Sequence, residues 1–359
     1  MMLDQDIYSD ALFTLPLLVK GSIITADYLQ RLRDRDIRTV YVKEESAITR
    51  GNRSNIIYVP EVRATISPKL RAEAVACLEQ LFKAIGEGNV HTSVQIIKNL
   101  DNIVDQLVSS IGRDRFALIN INDLRSYDEY TYHHSLSVAV LSIAIGQHLG
   151  LDRNDLHHLG KCAMMHDIGK VEVPIEILHK PTRLSNDEFN VVRHHSASGF
   201  NFLVNQNIGD DKLRSGVLYH HEKVNGKGYP HGLTGNLIPL WGRIISVGDV
   251  YDALTSNRPY RRPMLPSEAI EYIMGGIGSN FDYDIVKAFA QRVALYPVGS
   301  FVELSNGHTA VVLNTQSGLR PVVRILETGA VADLRSDMKY LSTVITRPLS
   351  KQEVIIRRA

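Results

Sequence analysis

Apolar residues recur at helical spacing through most of the chain, and the pattern changes character only towards its two ends. Ser67 and Pro68 make a cap and first-turn pair for a helix that carries Val75, Leu78, Leu81, Phe82 and Ile85 along one stripe. Gly86-Glu87-Gly88-Asn89 breaks that run, and a second amphipathic run follows through Val94, Ile97, Leu100, Val104 and Val108. Periodicity fits two roles for this helix pair, a connector or a dimer seam. From about residue 113 to 293 the pattern stays mostly helical, with polar or Gly/Pro breaks near 150, 180, 208 and 226. Beyond Tyr296 it shortens to alternation: FVEL, a turn at Ser305-Asn306-Gly307-His308, TAVVL, a turn at Gly318, then PVVRIL. Before residue 62 the texture is mixed, with LFTLPLLV, then Thr25 as an N-cap for DYLQRLRDRDI, then a strand-like TVYV ending at Val42.

These elements predict a mainly α protein in four parts. Residues 1–62 form a small N-terminal α/β accessory or regulatory domain, 63–112 a helical connector, 113–293 a helical domain, and 294–359 a small β-rich extension. A chain of 359 residues exceeds what one core usually holds.

Charge and cysteine content narrow the chemistry. Lys and Arg number 40 against 39 Asp and Glu, so no global field draws the protein to nucleic acid or to an anionic membrane. An anionic ligand must be held by a local cluster. Cys77 and Cys162 lie in apolar helical stretches and read as small buried hydrophobes, since two scattered thiols make neither a disulfide framework nor a zinc ribbon. The start MMLDQDIYSD lacks the basic opening and apolar run of a signal peptide. With no run of roughly 18 apolar residues either, a cytoplasmic location is expected.

Of the fourteen histidines, twelve fall between His133 and His231, a density that suggests a metal site. Ser185 with Glu188 makes a capping box, and the helix it starts places Val192, His195, Gly199 and Phe202 on one stripe, so His195 faces inward and His194 outward. Leu156, Leu159, Ala163 and His166 or Asp167 share another face, which Gly169 can close. Adjacent helical side chains diverge by about 100°, so His166 and Asp167 serve one centre only if metals lie in both directions. An aspartate bridging two cations meets that need. His134 lies on the line of Val138, Leu141 and Ile145, but His133 lies on an almost equally apolar line through Leu136 and Val140, and period does not separate them. His220 and His221 pose the same ambiguity. Asp249 follows the apolar RIISVG, where a bare buried carboxylate would be costly without a metal or cationic partner. Imidazole and carboxylate without thiolate suit Mn, Fe, Ni, Co or Zn more than Ca or Mg. Two such ions about 3.5–4 Å apart can share a bridging hydroxide as nucleophile for phosphodiester hydrolysis.

Taken together, YTYHHS, HDIGKVEVPIEIL, RHHSASG, HHEKVNGKGYPHGLTG and VGDVYDALTSNRPYR resemble the HD-GYP family of bacterial cyclic-dinucleotide phosphodiesterases, over roughly residues 113–293. The resemblance implies a helical HD-type metallophosphohydrolase core in which His134, His166, Asp167 and Asp249 hold one metal. Asp167 bridges to a second, held by His195, His220 and His221. It implies Fe or Mn first among the divalent ions, and Lys170 beside the scissile phosphate or bridging hydroxide. Arg258 and Arg261 would be phosphate clamps, and Tyr229 would sit in a lid or partner-docking loop beside the substrate. Some family members place a glutamate one turn before the first histidine to help hold a third metal; here that position is Tyr130, with Glu129 rotated away, so two metals are expected. Asn225 stands where the family often has Asp.

The implied activity is hydrolysis of cyclic di-GMP to pGpG and then GMP. The alternatives are another cyclic dinucleotide such as cyclic GMP-AMP, or a catalytically silent cyclic di-GMP binding module. Expected partners are the nucleotide substrate, a second copy of the chain through the helices before residue 112, and a protein at the GYP loop. Nucleic acid and membrane are not expected.

Overall fold

In a computed structural model the described residues are 65–112, 130–178, 180, 182–256, 263–315 and 320–349, with the short strands β1 (Met2–Leu3) and β2 (Val42–Lys43), which pair antiparallel. The rest of the 1–62 segment, the side chain of Tyr130, Glu129, Arg258, Arg261 and Gly318 lie outside them. The fold is mainly α. One compact unit runs from Ala64 to Pro297 and a second includes Val298–Asn314 and the chain from Arg320.

In the helical unit, α1 (Pro68–Gly86) begins at Ser67, whose hydroxyl accepts from the Leu70 amide at 3.2 Å. Its stripe of Leu70, Ala74, Leu78, Leu81 and Phe82 is buried along α2 (Val90–Gly112), which buries Ile97, Leu100, Val104, Leu107 and Val108. Both stripes are thus covered within the chain. The central rod is α3 (Tyr130–His148), in which every residue from His134 to Gly146 is buried. A helix apolar on all sides has no solvent face, and here α1, α2, α4 (Arg153–Met165) and α9 (Leu240–Thr255) surround it. Each fully buried leucine, isoleucine or valine in such a rod contributes on the order of 1.5–3 kcal/mol.

Between α4 and α9 the chain is a series of short helices with sharp ends. A 3-10 turn at Ile168–Glu172 leads to α5 (Ile175–Leu178), α6 (Asn186–Arg193), α7 (His195–Asn205) and α8 (Asp211–Tyr219). The capping box is formed in both directions: the Glu188 amide donates to Ser185 Oγ at 3.2 Å, and the Ser185 amide to Glu188 Oε2 at 2.7 Å. The single helix expected from Ser185 onward is two helices, broken at His194. After α9 come α10 (Pro266–Gly275) and α11 (Tyr283–Ala290), which close the unit against α9. No helix among the described residues is long and apolar enough to cross a membrane.

The second unit holds a five-stranded sheet of β3 (Phe301–Leu304), β4 (Thr309–Asn314), β5 (Val322–Ile325), β6 (Val331–Asp333) and β7 (Ile345–Leu349) in the order β6-β5-β4-β3-β7. Every neighbouring pair is antiparallel, with register shifts after Glu303 and Val312.

Candidate metal centre

Helix ends build this centre. Met165 is the last residue of α4, so His166 caps the helix and Asp167, at φ −102° and ψ 6°, has already left it. The divergence expected of neighbours on one helix therefore does not apply, and both side chains turn into the same space. Arg193 likewise ends α6 ahead of His195, and Tyr219 ends α8 ahead of His220 and His221.

The last carbonyls of a helix lack intrahelical donors, and three histidines use them in the same way. Nδ1 of His166 donates to the Ala163 carbonyl at 2.7 Å, that of His195 to Val192 at 2.5 Å, and that of His220 to Val217 at 2.8 Å. A carbonyl oxygen only accepts, so Nδ1 must carry the proton, and in the neutral ring Nε2 keeps its lone pair. All three Nε2 atoms then point inward. Exposed His194 bonds to the Asn190 carbonyl instead and is aimed away.

Asp167 is the hub. Its Oδ2 lies 3.3 Å from His166 Nε2 and 3.7 Å from His134 Nε2, while Oδ1 lies 3.4 Å from His195 Nε2. Asp167, His195, His220 and His221 form one convergent group, and His134, His166 and Asp167 another, sharing the aspartate. Asp249 on α9 reaches the second group, its Oδ1 3.1 Å from His134 Nε2, and Oδ2 lies 3.8 Å from His221 Nδ1. Lys170, one turn beyond, donates to Asp167 Oδ2 at 2.5 Å, with over a quarter of its side chain open to solvent.

These donors fit a cation. Nε2 of His195 and of His220 face each other at 3.3 Å, two lone pairs with no proton to share once both Nδ1 atoms are donating. His166 Nε2 and Asp167 Oδ1 are buried with no hydrogen-bond partner. A bare buried acceptor costs about 1–3 kcal/mol, more if charged, and an ion among these atoms removes that penalty. Imidazoles and carboxylates without thiolate are the donor set of borderline divalent ions.

Burial lowers the His195 imidazole, and lowers His220 further with help from His221 and His166. His221 is brought to about 3, again mainly by burial. Burial also pulls His134 down, but Asp249 and Asp252 outweigh it and raise it to about 9. Burial raises Asp167 and Asp249, yet the neighbouring His166 and Lys170, and His134 and His221, hold both well below the usual carboxylate range.

These directions set the pH response of the metal-free protein. Unfolded histidine titrates near about 6.5. His195, His220 and His221 therefore contribute fully above that pH and are lost as pH falls below it, because only the unfolded chain then takes up their protons. His134 acts oppositely: its contribution is complete below about 6.5 and lost as pH rises through about 9. Three groups against one predict that Tm of chelator-treated protein falls steeply from about pH 7 to 5 and more gently on the alkaline side. A thermal scan across pH checks this; a flat acid limb would contradict it.

Two supports were not singled out from sequence. Asp252, one turn after Asp249 on α9, accepts from His134 Nδ1 at 2.7 Å and fixes that ring. Its i+3 spacing from Asp249 was the available signal. Partners of this kind typically matter 10–100-fold, so Asp252→Ala is expected to weaken metal binding by about that factor, read by competitive metal titration. Glu222 carries the other role. Its Oε1 accepts from the amides of His231 (2.7 Å) and Gly232 (3.0 Å), and Oε2 from that of Leu233 (3.0 Å), tying the GYP loop back to its start. Gly228 fits there because a Cβ would sit 2.4 Å from Glu222 Cα. The loop so held stacks Tyr229 on His221, ring centroids 4.7 Å apart and 29° between planes. Asn225 keeps a turn acceptor in place of Asp, its Oδ1 taking the Lys227 amide at 3.0 Å.

The chain is similar to several known proteins. A family model described as HD domain matches residues 118–285. The cyclic di-GMP phosphodiesterase PA4108 of Pseudomonas aeruginosa is 32% identical over 312 residues, covering 83% of this chain and 75% of the relative. The 3'3'-cGAMP-specific phosphodiesterase 1 of Vibrio cholerae is 36% identical over 154 residues, which span 43% of this chain and 36% of that protein. Among solved structures, the HDG"Y"P protein Bd1817 from Bdellovibrio bacteriovorus shares the fold, with a TM-score of 0.50 and 19% identity over 61% of this chain and 69% of that one.

Proposed function

From the premise that this chain belongs to the HD domain family, in its HD-GYP branch, we propose that it is a metal-dependent phosphodiesterase hydrolysing cyclic di-GMP to pGpG and then to GMP. The observation that carries this reading is the pair of histidine and aspartate groups that share Asp167, with three Nε2 atoms, each opposite an Nδ1–H donated to a carbonyl, aimed between them.

Two divalent ions are proposed, Fe or Mn before Ni, Co or Zn. His134, His166, Asp167 and Asp249 would hold one, and Asp167, His195, His220 and His221 the other. Bound there, such ions supply Lewis acidity towards phosphoryl oxygens and lower the pKa of water so that it attacks phosphorus at neutral pH. The chain's own residues do the remaining work. Asp167 offers one oxygen to each side and stays ionised. Lys170 steadies that carboxylate and presents an ammonium at the open side of the centre, where phosphoryl charge collects in the transition state. Asp252 holds the His134 ring, and the Glu222-tethered loop shields His221 behind Tyr229. In the overall reaction water oxygen bonds to phosphorus and the 3′ oxygen leaves with a proton. Arg258 and Arg261 are proposed as clamps on the substrate's phosphates.

A second substrate, cyclic GMP-AMP, is favoured by the likeness to the Vibrio relative. Metal-loaded protein given each cyclic dinucleotide in parallel, with products separated by chromatography, decides between them. The expected result is a higher kcat/KM for cyclic di-GMP and accumulation of pGpG before GMP. Preference for cyclic GMP-AMP would reassign the substrate, and tight binding of either without turnover would make the protein a sensor.

A further inference from the structure

Arg193 is a cation beside the centre that the activity just described leaves unused. It is the last residue of α6, where the helix dipole favours positive charge. Its guanidinium lies 4.8 Å from the Tyr229 ring centroid and 6.0 Å from that of Phe189. Tyr229 also stacks on His221 of the metal centre, at 4.7 Å. Arg193 and His221 thus share Tyr229 as a neighbour. Other arginines of this unit pair with acids, as Arg243 does with Asp282 at 2.7 Å. Arg193 has neither a carboxylate nor any hydrogen-bond acceptor among the described residues, and aromatic faces hold it instead.

That combination has a chemical consequence. The aromatic contacts hold the guanidinium while no described residue accepts from its N–H groups, and a guanidinium matches the paired oxygens of a phosphodiester. The centre takes one phosphodiester at a time, whereas a cyclic dinucleotide brings two in one ring, so a second anionic group must lie to one side of the ions. We infer that Arg193, positioned by Tyr229 and Phe189, binds the phosphodiester of the cyclic dinucleotide that is not being cleaved. The inference rests on the proposed substrate class. It makes Arg193 a determinant of KM for ligands with two phosphates, with no part in bond cleavage at the first.

The test compares wild type, Arg193→Gln and Arg193→Lys on two substrates, cyclic di-GMP and bis(4-nitrophenyl) phosphate, whose single phosphodiester reports the ions alone. Metal content is measured on the same samples. Arg193→Gln is expected to raise KM for cyclic di-GMP about ten- to a hundred-fold, the range of one charged hydrogen-bond contact, with kcat nearly unchanged. Arg193→Lys should recover part of that loss. Hydrolysis of the nitrophenyl diester and metal content should match wild type in both variants. Equal losses on both substrates would overturn the inference, because they would mean that Arg193 only props the GYP loop. An unchanged KM would overturn it as well. Wild type active on the nitrophenyl diester and inactive on the cyclic dinucleotide would instead sink the functional reading, and this assignment with it.

Discussion

Asp167→Asn is expected to lower kcat/KM at least about a thousand-fold, equivalent to roughly 4 kcal/mol of lost transition-state stabilisation, while leaving the helical fold intact. The side chain keeps its shape, so packing around α4 and the 3-10 turn is undisturbed. What changes is charge. Asp167 is the one residue common to both donor groups, and its carboxylate is held ionised by His166 and Lys170 despite full burial. An amide presents one weaker oxygen and an NH₂ that cannot ligate, so both groups lose their shared member together. Metal analysis should show both ions depleted, with circular dichroism unchanged. His194→Ala provides the contrast. That histidine is a neighbour in sequence of His195, yet it is exposed and bonded to the Asn190 carbonyl, so activity and metal content should stay near wild type. Near wild-type turnover in Asp167→Asn would defeat the proposed chemistry outright.

Gly169→Ala is expected to do comparable damage by a different route. A Cβ at this position would lie 2.0 Å from the His195 carbonyl oxygen and 2.5 Å from the Gly199 amide nitrogen. Both are backbone atoms of α7 and cannot swing aside as the end of a side chain would. The 3-10 turn and α7 must separate, and overpacking costs about 1–3 kcal/mol, occasionally more where backbone has to move. The same movement withdraws His195 from Asp167, now 3.4 Å away, and breaks one donor group. The variant should therefore lose both stability in denaturant titration and metal affinity. Gly275→Ala, where nothing lies within 4 Å of the added atom, should change neither by more than a few tenths of a kcal/mol. The glycine of the HDxGK motif thus has a packing reason, since it lets two histidine-bearing segments touch.

Much of this was legible in the residues. The stripe through Val192, His195, Gly199 and Phe202 separated inward His195 from outward His194, and the structure leaves the first 1% exposed and the second on the surface. The alternation after Tyr296 announced strands, and Ser67-Pro68 announced a helix start. What period did not resolve has physical causes. His133 and His134 sit on a rod that is apolar nearly all round, so facing carried no information; the structure buries His134 to 3% and leaves His133 half-buried. The breaks at His166 and His194 were hidden because neither position is a Gly or Pro; beside them His166 and His195 each return Nδ1–H to the carbonyl three residues back. Asp252 and Glu222 were missed since each acts on another residue's orientation, through contacts 118 residues away for Asp252 and around a closed loop for Glu222. Strand order in the C-terminal sheet, with β7 returning beside β3, leaves no local signature.

The central claim is that these imidazoles and carboxylates hold two cations across Asp167. Crystals grown with Mn²⁺ and measured at its absorption edge test it most directly, because anomalous scattering locates each ion without reference to activity. The account predicts two peaks, one enclosed by His134, His166, Asp167 and Asp249, the other by Asp167, His195, His220 and His221. No peak at saturating Mn²⁺, or ions bound away from Asp167, would contradict it.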